Sequence, residues 1–209
     1  MTRASRASRI FARLPPHGAG QRIGLYGGTF NPAHLGHRHV SLLALRRLGL
    51  DQLWWLVTPG NPLKDIGALP PLEERMEEAA EVASHPRIAI TGVERAFRTR
   101  YTADLIEHLK RRTPDARFVW IMGSDNLATF HRWERWREIV TMAPIAVVNR
   151  PATLAATLSS PAAQALAPYR VDEADAKILA DRAPPAWTFL IGPRTSLSST
   201  ALRAMSAAS

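Results

Sequence analysis

Two histidines and two adjacent glycines occur together in the segment YGGTFNPAHLGH, which runs from residue 26 to residue 37. Gly27 and Gly28 lack a Cβ atom, so the backbone there can adopt positive φ and a ligand can approach the main chain closely. His34 and His37 are three residues apart, so both imidazoles lie on one face if they open a helix. The N-terminus of a helix favours negative charge. The pattern therefore predicts a phosphate site to which both imidazoles donate hydrogen bonds.

The segment differs from the two common glycine motifs that bind phosphate. It is not G-x-G-x-x-G, and no Gly-Lys-Ser/Thr follows as in a P-loop. A lone histidine in such a turn would usually cap a helix or lie at the edge of the core, whereas a pair inside a glycine turn favours a ligand. A zinc pair is a further alternative, but a catalytic zinc site needs a third protein ligand, for which the sequence offers no obvious candidate.

A second set of anion-binding groups lies in SLSSTALR, residues 196–203. Ser198, Ser199 and Thr200 offer hydroxyls and backbone N–H groups at a predicted helix start, which suits a phosphate. Arg203 follows one turn later and can reach the same anion. A Ser-Ser-Thr run before a helix is by itself usually an N-cap, so the phosphate interpretation depends on its pairing with the first segment.

The elements that must position these groups alternate along the chain. Six nearly continuous apolar runs predict strands of a parallel sheet covered on both faces: RIGLYGG, QLWWLVTPG, RIAITGV, RFVWIMGSD, IAVVNRP and WTFLIG. Amphipathic patterns predict helices at 35–49, 71–84, 101–112 and 126–140, a short one after Ser199, and one at 172–181 in an otherwise unclear segment, 151–183. The alternation predicts an α/β fold, a doubly wound, mostly parallel, Rossmann-like sheet in a single domain. Ligands of such sheets bind beyond the carboxyl ends of the strands.

Composition limits the function classes. The 209-residue chain has no cysteine, which excludes disulfides, thiolate zinc sites and cysteine nucleophiles. No apolar run approaches the roughly 18 residues of a membrane helix, so we predict a soluble cytoplasmic protein without a membrane partner. The net charge is +9, and five of the arginines lie in residues 1–22, which leaves +4 for residues 23–209. That remainder fits a phosphate-bearing ligand, and no nucleic-acid partner is expected.

GGTFNPAHLGH resembles the T/HxGH signature of the nucleotidylyltransferase superfamily, and SLSSTALR is similar to its ISSTxxR element. The resemblance implies transfer of a nucleotidyl group from a nucleoside triphosphate with release of pyrophosphate. It implies that the ATP phosphates lie against Gly27, Gly28, Thr29, Phe30, Ser198, Ser199 and Thr200, with His34, His37 and Arg203 as catalytic residues. The implied nucleotidylyltransferase domain spans 22–209, after a disordered basic leader predicted at 1–21.

Further segments resemble bacterial nicotinate-mononucleotide adenylyltransferases, and the similarity spans about 23–203. The resemblance implies that Lys64 in TPGNPLK neutralises substrate phosphate and that Thr102 in RYTADLI lies beside the nicotinate ring. It also implies that Trp133 in LATFHRWERW stacks on that ring and that Asp125 in IMGSDN lies against the nucleotides, where a carboxylate suits ribose hydroxyls. Arg150 in VVNRP closes the fifth strand at the same end of the sheet and is a candidate phosphate contact.

Simpler roles stay open for several of these residues. Lys64 and Arg150 are alternatively surface cations. Thr102 and Asp125 are alternatively helix N-caps, and in each case both roles are compatible. The other tryptophans considered are predicted to be core residues: Trp54, Trp55 and Trp136.

The implied reaction is attack of the 5′-phosphate of nicotinate mononucleotide on the α-phosphorus of ATP, giving nicotinate adenine dinucleotide and pyrophosphate in NAD biosynthesis. No general base is required, because the attacking phosphate is already ionised. Mg²⁺ is expected to arrive with the triphosphate rather than on protein ligands. The predicted partners are ATP and nicotinate mononucleotide, and homodimer formation is left open. Two alternatives also stay open: transfer to another phosphorylated acceptor, such as nicotinamide mononucleotide or phosphopantetheine, and a non-enzymatic nucleotide- or RNA-binding module.

Overall fold

The computed structural model describes residues 13–60, 69–149 and 157–192. Within these residues seven strands form one sheet: β1 (Arg22–Gly28), β2 (Gln52–Val57), β3 (Ile88–Thr91), β4 (Arg117–Gly123), β5 (Ile145–Val148), β6 (Arg170–Val171) and β7 (Trp187–Leu190). Their order is β3-β2-β1-β4-β5-β7-β6, and every neighbouring pair is parallel. The predicted α/β fold with a parallel sheet is confirmed, and so are the six predicted strands.

Helices cover both faces of this sheet. They are α1 (Leu35–Arg47), α2 (Leu72–Ala83), α3 (Val93–Phe97), α4 (Thr102–Arg112), α5 (Ser124–Thr129), α6 (Trp136–Met142) and α7 (Pro161–Leu166). Two separate apolar clusters result, one that includes side chains of α1 and α2 and one that includes side chains of α3 to α7. No helix in the described ranges is long and apolar enough to cross a membrane.

The two covered faces explain why the strands read as continuous apolar runs. Trp54 and Trp55 are neighbours on β2, and because successive side chains of a strand point to opposite faces, each enters a different cluster. Both are fully buried, which confirms the prediction that they are core residues. Trp136 is partly buried and packs against the cluster under α4 and α6.

The sheet also fixes where a ligand can bind. β1 pairs with β2 on one side and with β4 on the other, so the strand order reverses between β1 and β4. Such a switch point opens a crevice beyond the carboxyl ends of the strands. Gly28, Val57 and Gly123 are the last residues of β1, β2 and β4, so the segments that follow them border this crevice.

Three parts of the predicted layout need correction. The helix predicted at 126–140 is α5, a 3₁₀ turn at Phe130–Arg132, and α6, with Arg135 between them in the left-handed region at φ 54°. The helix predicted at 172–181 is a 3₁₀ helix at Glu173–Asp181, and β6 before it was not predicted. Two-residue strands and left-handed breaks depend on tertiary contacts, which periodicity does not report.

Part of the predicted leader is also packed. Pro15 is buried, Leu14 packs against an apolar cluster, and the His17 ring lies 5.4 Å from the Trp54 ring, centroid to centroid. The packed chain therefore begins before residue 22. Residues 1–12 lie outside the described part, and a single domain over 22–209 stays a prediction for the segments that the structure does not describe.

Candidate active site

The turn after β1 is built differently from the glycine cradle expected there. β1 runs through Gly27 and Gly28, and neither has a positive φ; among the described residues, the glycines with positive φ are Gly20 and Gly49. Phe30 adopts φ 46° instead. Gly27 is small for another reason, because a Cβ there would lie 2.9 Å from the Trp120 ring. The two glycines therefore do not use the positive φ that their missing Cβ atoms allow.

His34 and His37 form a reciprocal capping box at the start of α1. His34 is the N-cap residue, and its Nδ1 accepts a hydrogen bond from the Gly36 N–H at 3.1 Å. His37 Nδ1 accepts one from the His34 N–H at 3.2 Å. The ring centroids are 3.8 Å apart, with 32° between the planes. Both rings are thereby fixed by backbone donors, so the predicted juxtaposition of the two imidazoles is confirmed.

This capping box also selects the tautomer of each ring. A backbone amide nitrogen always carries its proton, so the Nδ1 that faces it must be an acceptor. The proton of each neutral imidazole is then on Nε2, and an Nε2–H is the donor that a phosphate oxygen accepts. The helix start therefore carries two oriented donors on side chains that are only 5% and 8% exposed, His34 and His37 respectively.

The aromatic rings of Phe30 and Trp55 pack beside His37. The Phe30 ring lies 4.8 Å from the His37 ring and stacks on Trp55 at 4.7 Å, with 13° between the Phe30 and Trp55 planes. Trp55 Nε1 donates to Ser41 Oγ at 2.7 Å, and Ser41 Oγ donates to the His37 carbonyl at 2.8 Å. Trp55 thus holds His37 through both ring packing and a hydrogen-bond chain.

Trp133 follows β4, the strand that pairs with β1 at the switch point. Its indole makes edge-to-face contacts with Phe130 at 5.3 Å and with Trp120 at 6.4 Å, centroid to centroid. Trp120 is the residue that lies over Gly27. The end of β1 and the Trp133 segment are therefore in contact through a single buried ring. Trp133 itself is half-buried, and Glu134 after it is exposed.

Two further predicted residues border the same end of the sheet. Thr102 is the first residue of α4, with Tyr101 as the N-cap, and Asp125 is the second residue of α5, with Gly123 as the N-cap. The alternative N-cap role is therefore wrong for both. Asp125 is exposed and Thr102 is half-buried.

An ion-pair cluster joins the Thr102 and Trp133 segments. Arg135 Nη1 contacts Asp104 Oδ1 at 2.6 Å, and Arg135 forms a two-point pair with Glu138, at 3.0 and 2.5 Å. Glu107 is within 3.8 Å. Hydrogen bonding to Glu138 is the main cause that raises the pKa of Arg135, and the same bond lowers the pKa of Glu138. Because Asp104 and Arg135 each lie two residues from a predicted ligand contact, the cluster fixes the spacing of those contacts.

The remaining predicted site residues lie outside the described part of the chain: Lys64, Arg150, Ser198, Ser199, Thr200 and Arg203. In the part that is described, no group of three or more His, Cys, Asp or Glu side chains is placed to hold a metal ion. The described residues thus present two imidazole donors after β1 and a half-buried indole after β4, the two neighbouring strands at the switch point.

The chain is similar in sequence to known proteins. The cytidylyltransferase-like family matches residues 25–205. A probable nicotinate-nucleotide adenylyltransferase of Methylorubrum extorquens (strain PA1) is 61% identical over 182 residues, which cover 87% of this chain and 98% of that protein. The chain belongs to the nicotinate-nucleotide adenylyltransferase family. A second member, from Brucella abortus (strain 2308), is 58% identical over 181 residues, 87% of this chain and 93% of that protein.

Solved structures agree on the fold. Plasmodium falciparum nicotinic acid mononucleotide adenylyltransferase complexed with APC aligns with a TM-score of 0.64 and 17% identity, over 88% of this chain and 83% of that one. The same enzyme complexed with NaAD gives a TM-score of 0.63 and 16% identity over the same shares. At such identity the likeness shows that the family's Rossmann-like fold is shared.

Sequence reasoning missed a carboxyl group beside the turn that follows β2. Glu94 is the second residue of α3 and is half-buried. Burial raises its pKa from 4.5 to about 7, against the opposing effect of a hydrogen bond with the Thr58 side chain. Thr58 follows β2, and its N–H donates to the Gly28 carbonyl at 3.0 Å. With a pKa of about 7 this carboxyl is only about half ionised at neutral pH, so it carries less negative charge than an ordinary glutamate.

It also missed an arginine whose signal was present in the helical pattern. The apolar face of α2 runs through Leu72, Met76, Ala79 and Ala83, and Arg75 lies on the same stripe at helical spacing from Leu72 and Ala79. A charged residue in a core stripe is rare unless its charge is paired or hydrogen-bonded. The signal that was overlooked is therefore a charged residue at an apolar position of the helix. The hydrogen-bond partners of Arg75 are backbone carbonyls, which a sequence does not display.

Proposed function

We propose that this protein transfers the adenylyl group of ATP to nicotinate mononucleotide, with formation of nicotinate adenine dinucleotide and pyrophosphate. The observation that carries the proposal is the His34–His37 capping box, because it presents two Nε2–H donors at the switch point of a Rossmann-like sheet. Membership of the nicotinate-nucleotide adenylyltransferase family supports the choice of substrates.

On the phosphate side, catalysis is positioning and charge stabilisation. The 5′-phosphate of nicotinate mononucleotide attacks the α-phosphorus in line, its P–O bond forms as the bond to pyrophosphate breaks, and pyrophosphate leaves with its electron pair. Negative charge spreads over the phosphoryl oxygens during this exchange. The Nε2–H groups of His34 and His37 and the backbone of 28–30 donate to those oxygens. No proton transfer is needed, since the attacking group is a phosphate anion.

On the pyridine side, recognition depends on an aromatic face and on polar backbone. Trp133 stacks on the nicotinate ring, supported edge-on by Phe130 and Trp120. Thr102 lies beside the ring, Asp125 binds ribose hydroxyls, and the backbone at Glu134 donates to the nicotinate carboxylate. Because the Glu134 side chain is exposed, it can turn to solvent rather than repel that carboxylate.

The substrate is expected to be the magnesium complex of ATP, with the ion held by triphosphate oxygens and water. Lys64, Arg150, Arg203 and the hydroxyls of 198–200 are proposed to complete the phosphate contacts. A cytoplasmic location stays a prediction. Homodimer formation stays open, and sedimentation of the purified protein tests it.

Pyrophosphate release by the purified protein tests the function. With magnesium and ATP, nicotinate mononucleotide should react strongly in preference to its amide at equal concentration. Equal rates would keep the adenylyl transfer but contradict the carboxylate-specific pocket. Absence of release with both acceptors, in a protein that binds ATP, would contradict the proposed function, and the same assay with phosphopantetheine would then separate transfer to another acceptor from the non-enzymatic nucleotide-binding alternative.

A further inference from the structure

Arg75 is a fully buried cation that contacts both loops on the phosphate side. Its side chain belongs to α2 and the residue is only 2% exposed. Nη1 donates to the Thr29 carbonyl at 2.6 Å and to the Thr58 carbonyl at 2.9 Å, and Nε donates to the Pro70 carbonyl at 3.0 Å. A longer contact of 3.5 Å joins Nη2 to the Pro59 carbonyl.

These partners belong to separate parts of the candidate site. Thr29 lies in the turn between β1 and the histidine pair, whereas Thr58 and Pro59 form the turn after β2. Pro70 lies just before α2. One guanidinium therefore joins the two turns that border the crevice beyond β1 and β2. The planar fork of an arginine suits this role, because its five N–H donors have fixed directions.

The chemistry of the partners is unusual for a buried charge. Within the described ranges no carboxylate lies in ion-pair distance of Arg75, and the partners that it does have are carbonyl dipoles. Burial lowers the pKa of Arg75, against the opposing Coulombic effect of Glu73, yet an arginine stays protonated at neutral pH. Carbonyl dipoles thus supply the direct contacts of this positive charge, and the charge favours anions nearby.

We propose that Arg75 is a positioning residue for adenylyl transfer, which sets the separation between the Thr29 turn and the Thr58 turn. This inference rests on the proposed function, in which the first turn contacts the ATP phosphates and the segment after the second contacts the acceptor phosphate. Arg75 touches neither substrate. It acts through the main chain of residues 29 and 58–59, whose relative placement decides whether the two phosphates meet in line.

The test compares Arg75→Met, Arg75→Lys and a destabilised control. Leu109→Ala is the control, because Leu109 is buried near the C-terminal end of α4, away from the site, and its truncation lowers stability without touching either turn. Steady-state kinetics are measured well below every unfolding midpoint, where all variants are folded. Displacement of a reacting group by about 1 Å costs on the order of 10²-fold, so kcat/KM of Arg75→Met should fall by about that factor.

The variants distinguish a positioning role of Arg75 from a general contribution to stability. Arg75→Lys should recover part of the loss, since it keeps the charge but not the fork, and Leu109→Ala should keep wild-type kcat and KM. Wild-type constants for Arg75→Met would overturn the inference. So would losses in Leu109→Ala that equal those of Arg75→Met at matched stability, because a structural role alone then explains both.

A readout without substrate keeps the inference distinct from the proposed function. Amide hydrogen exchange in Arg75→Met should accelerate in residues 26–34 and 56–60, while β4 and β5 stay as slow as in the wild type. If the wild-type protein transfers no adenylyl group but this exchange pattern appears, the proposed function fails, whereas the role of Arg75 in holding the Thr29 and Thr58 turns together stands. Uniform acceleration across the sheet, or none, would overturn that role of Arg75 even in an active enzyme.

Discussion

The two sides of the crevice are held by arginines in opposite ways. On the phosphate side, buried Arg75 donates to the carbonyls of Thr29 and Thr58. On the pyridine side, Arg135 is about one-third exposed and pairs with the carboxylates of Asp104 and Glu138. A buried hydrogen-bonded charge is lost only at large cost, whereas an exposed ion pair is weak and screened by salt.

This difference suggests a division of labour between the two sides. Phosphoryl transfer needs donors fixed in advance of the reaction, and both the histidine pair and Arg75 are fixed by backbone groups. A pyridine ring has to enter and leave, and the Trp133 segment is fixed by half-exposed side chains that water can replace. We therefore expect variants on the phosphate side to change kcat and variants on the pyridine side to change KM.

The largest effect is expected from the histidines, in variants that keep the helix cap. Asn is a good N-cap residue and Gln suits the third position of a capping box, so His34→Asn and His37→Gln preserve α1 but remove an Nε2–H donor. Each should lower kcat by about 10²- to 10³-fold. Thermal unfolding supplies the control, since the midpoints should stay near that of the wild type.

His34→Ala adds a second comparison, because it removes the donor and the cap together. It should match His34→Asn in kcat but lose about 1 kcal/mol of stability as well. Wild-type turnover in His34→Asn would contradict the catalytic assignment, and equal stability of the two variants would contradict the cap.

Trp133→Ala is expected to act on the acceptor alone. Stacking of a ring on an aromatic side chain contributes about 1–3 kcal/mol, so KM for nicotinate mononucleotide should rise by roughly 5- to 150-fold while KM for ATP changes little. Trp133→Phe keeps an aromatic face and should lie between the two. Equal increases in both KM values would show that the side chain supports the whole site rather than the pyridine ring.

The raised pKa of Glu94 predicts a pH dependence of stability that the Arg135 side of the comparison should not show. Its carboxyl binds a proton in the folded protein between pH 4.5 and about 7, where the unfolded chain has already released it, so the free energy of unfolding falls as pH rises through that window. Glu94→Gln stays neutral and should not show this fall. The gap between the variant and the wild type should reach on the order of 1–3 kcal/mol above pH 7.

Chemical denaturation at a series of pH values measures this gap. Glu138 serves as the control on the other side, because pairing with Arg135 lowers its pKa and stability linked to Glu138 is lost only as pH falls through the acid range. A gap between Glu94→Gln and the wild type that is constant from pH 5 to 8 would contradict the raised pKa of Glu94.

The smallest effect is expected from Arg135→Ala. Loss of a half-exposed pair should raise KM for nicotinate mononucleotide only a few-fold at low salt, and the difference should shrink as salt screens the wild-type pair. Arg47→Ala breaks a pair of similar exposure, with Glu173, at the end of α1 far from the site, and should leave KM unchanged. A salt-independent loss in kcat would place Arg135 with the phosphate side instead.

The sequence predicted what depends on local pattern. The strand runs, the placement of His34 and His37 on one helix start, and the burial of Trp54 and Trp55 follow from periodicity and glycine content. The need for glycine at position 27 could not be predicted in this way. The Trp120 ring, which occupies the space that a Cβ would need, comes from a strand far along the chain.

The parts that were not predicted are tertiary. The carbonyl partners of Arg75, the left-handed Arg135 that interrupts the 126–140 pattern, and the short β6 all require contacts between distant segments. Residues 64, 150, 198–200 and 203 lie outside the described part, so their roles in phosphate binding stay predictions.

The most direct test of the proposed phosphate site is to measure which nitrogen of each imidazole carries the proton. Nitrogen-15 correlation spectra of the histidine rings distinguish the Nε2–H from the Nδ1–H tautomer, and a non-reactive ATP analogue with magnesium shows whether those protons contact phosphate. The account predicts Nε2–H for both His34 and His37 in the free protein, with both proton resonances shifted on binding. An Nδ1–H tautomer, or Nε2–H resonances that the bound analogue leaves unchanged, would contradict it.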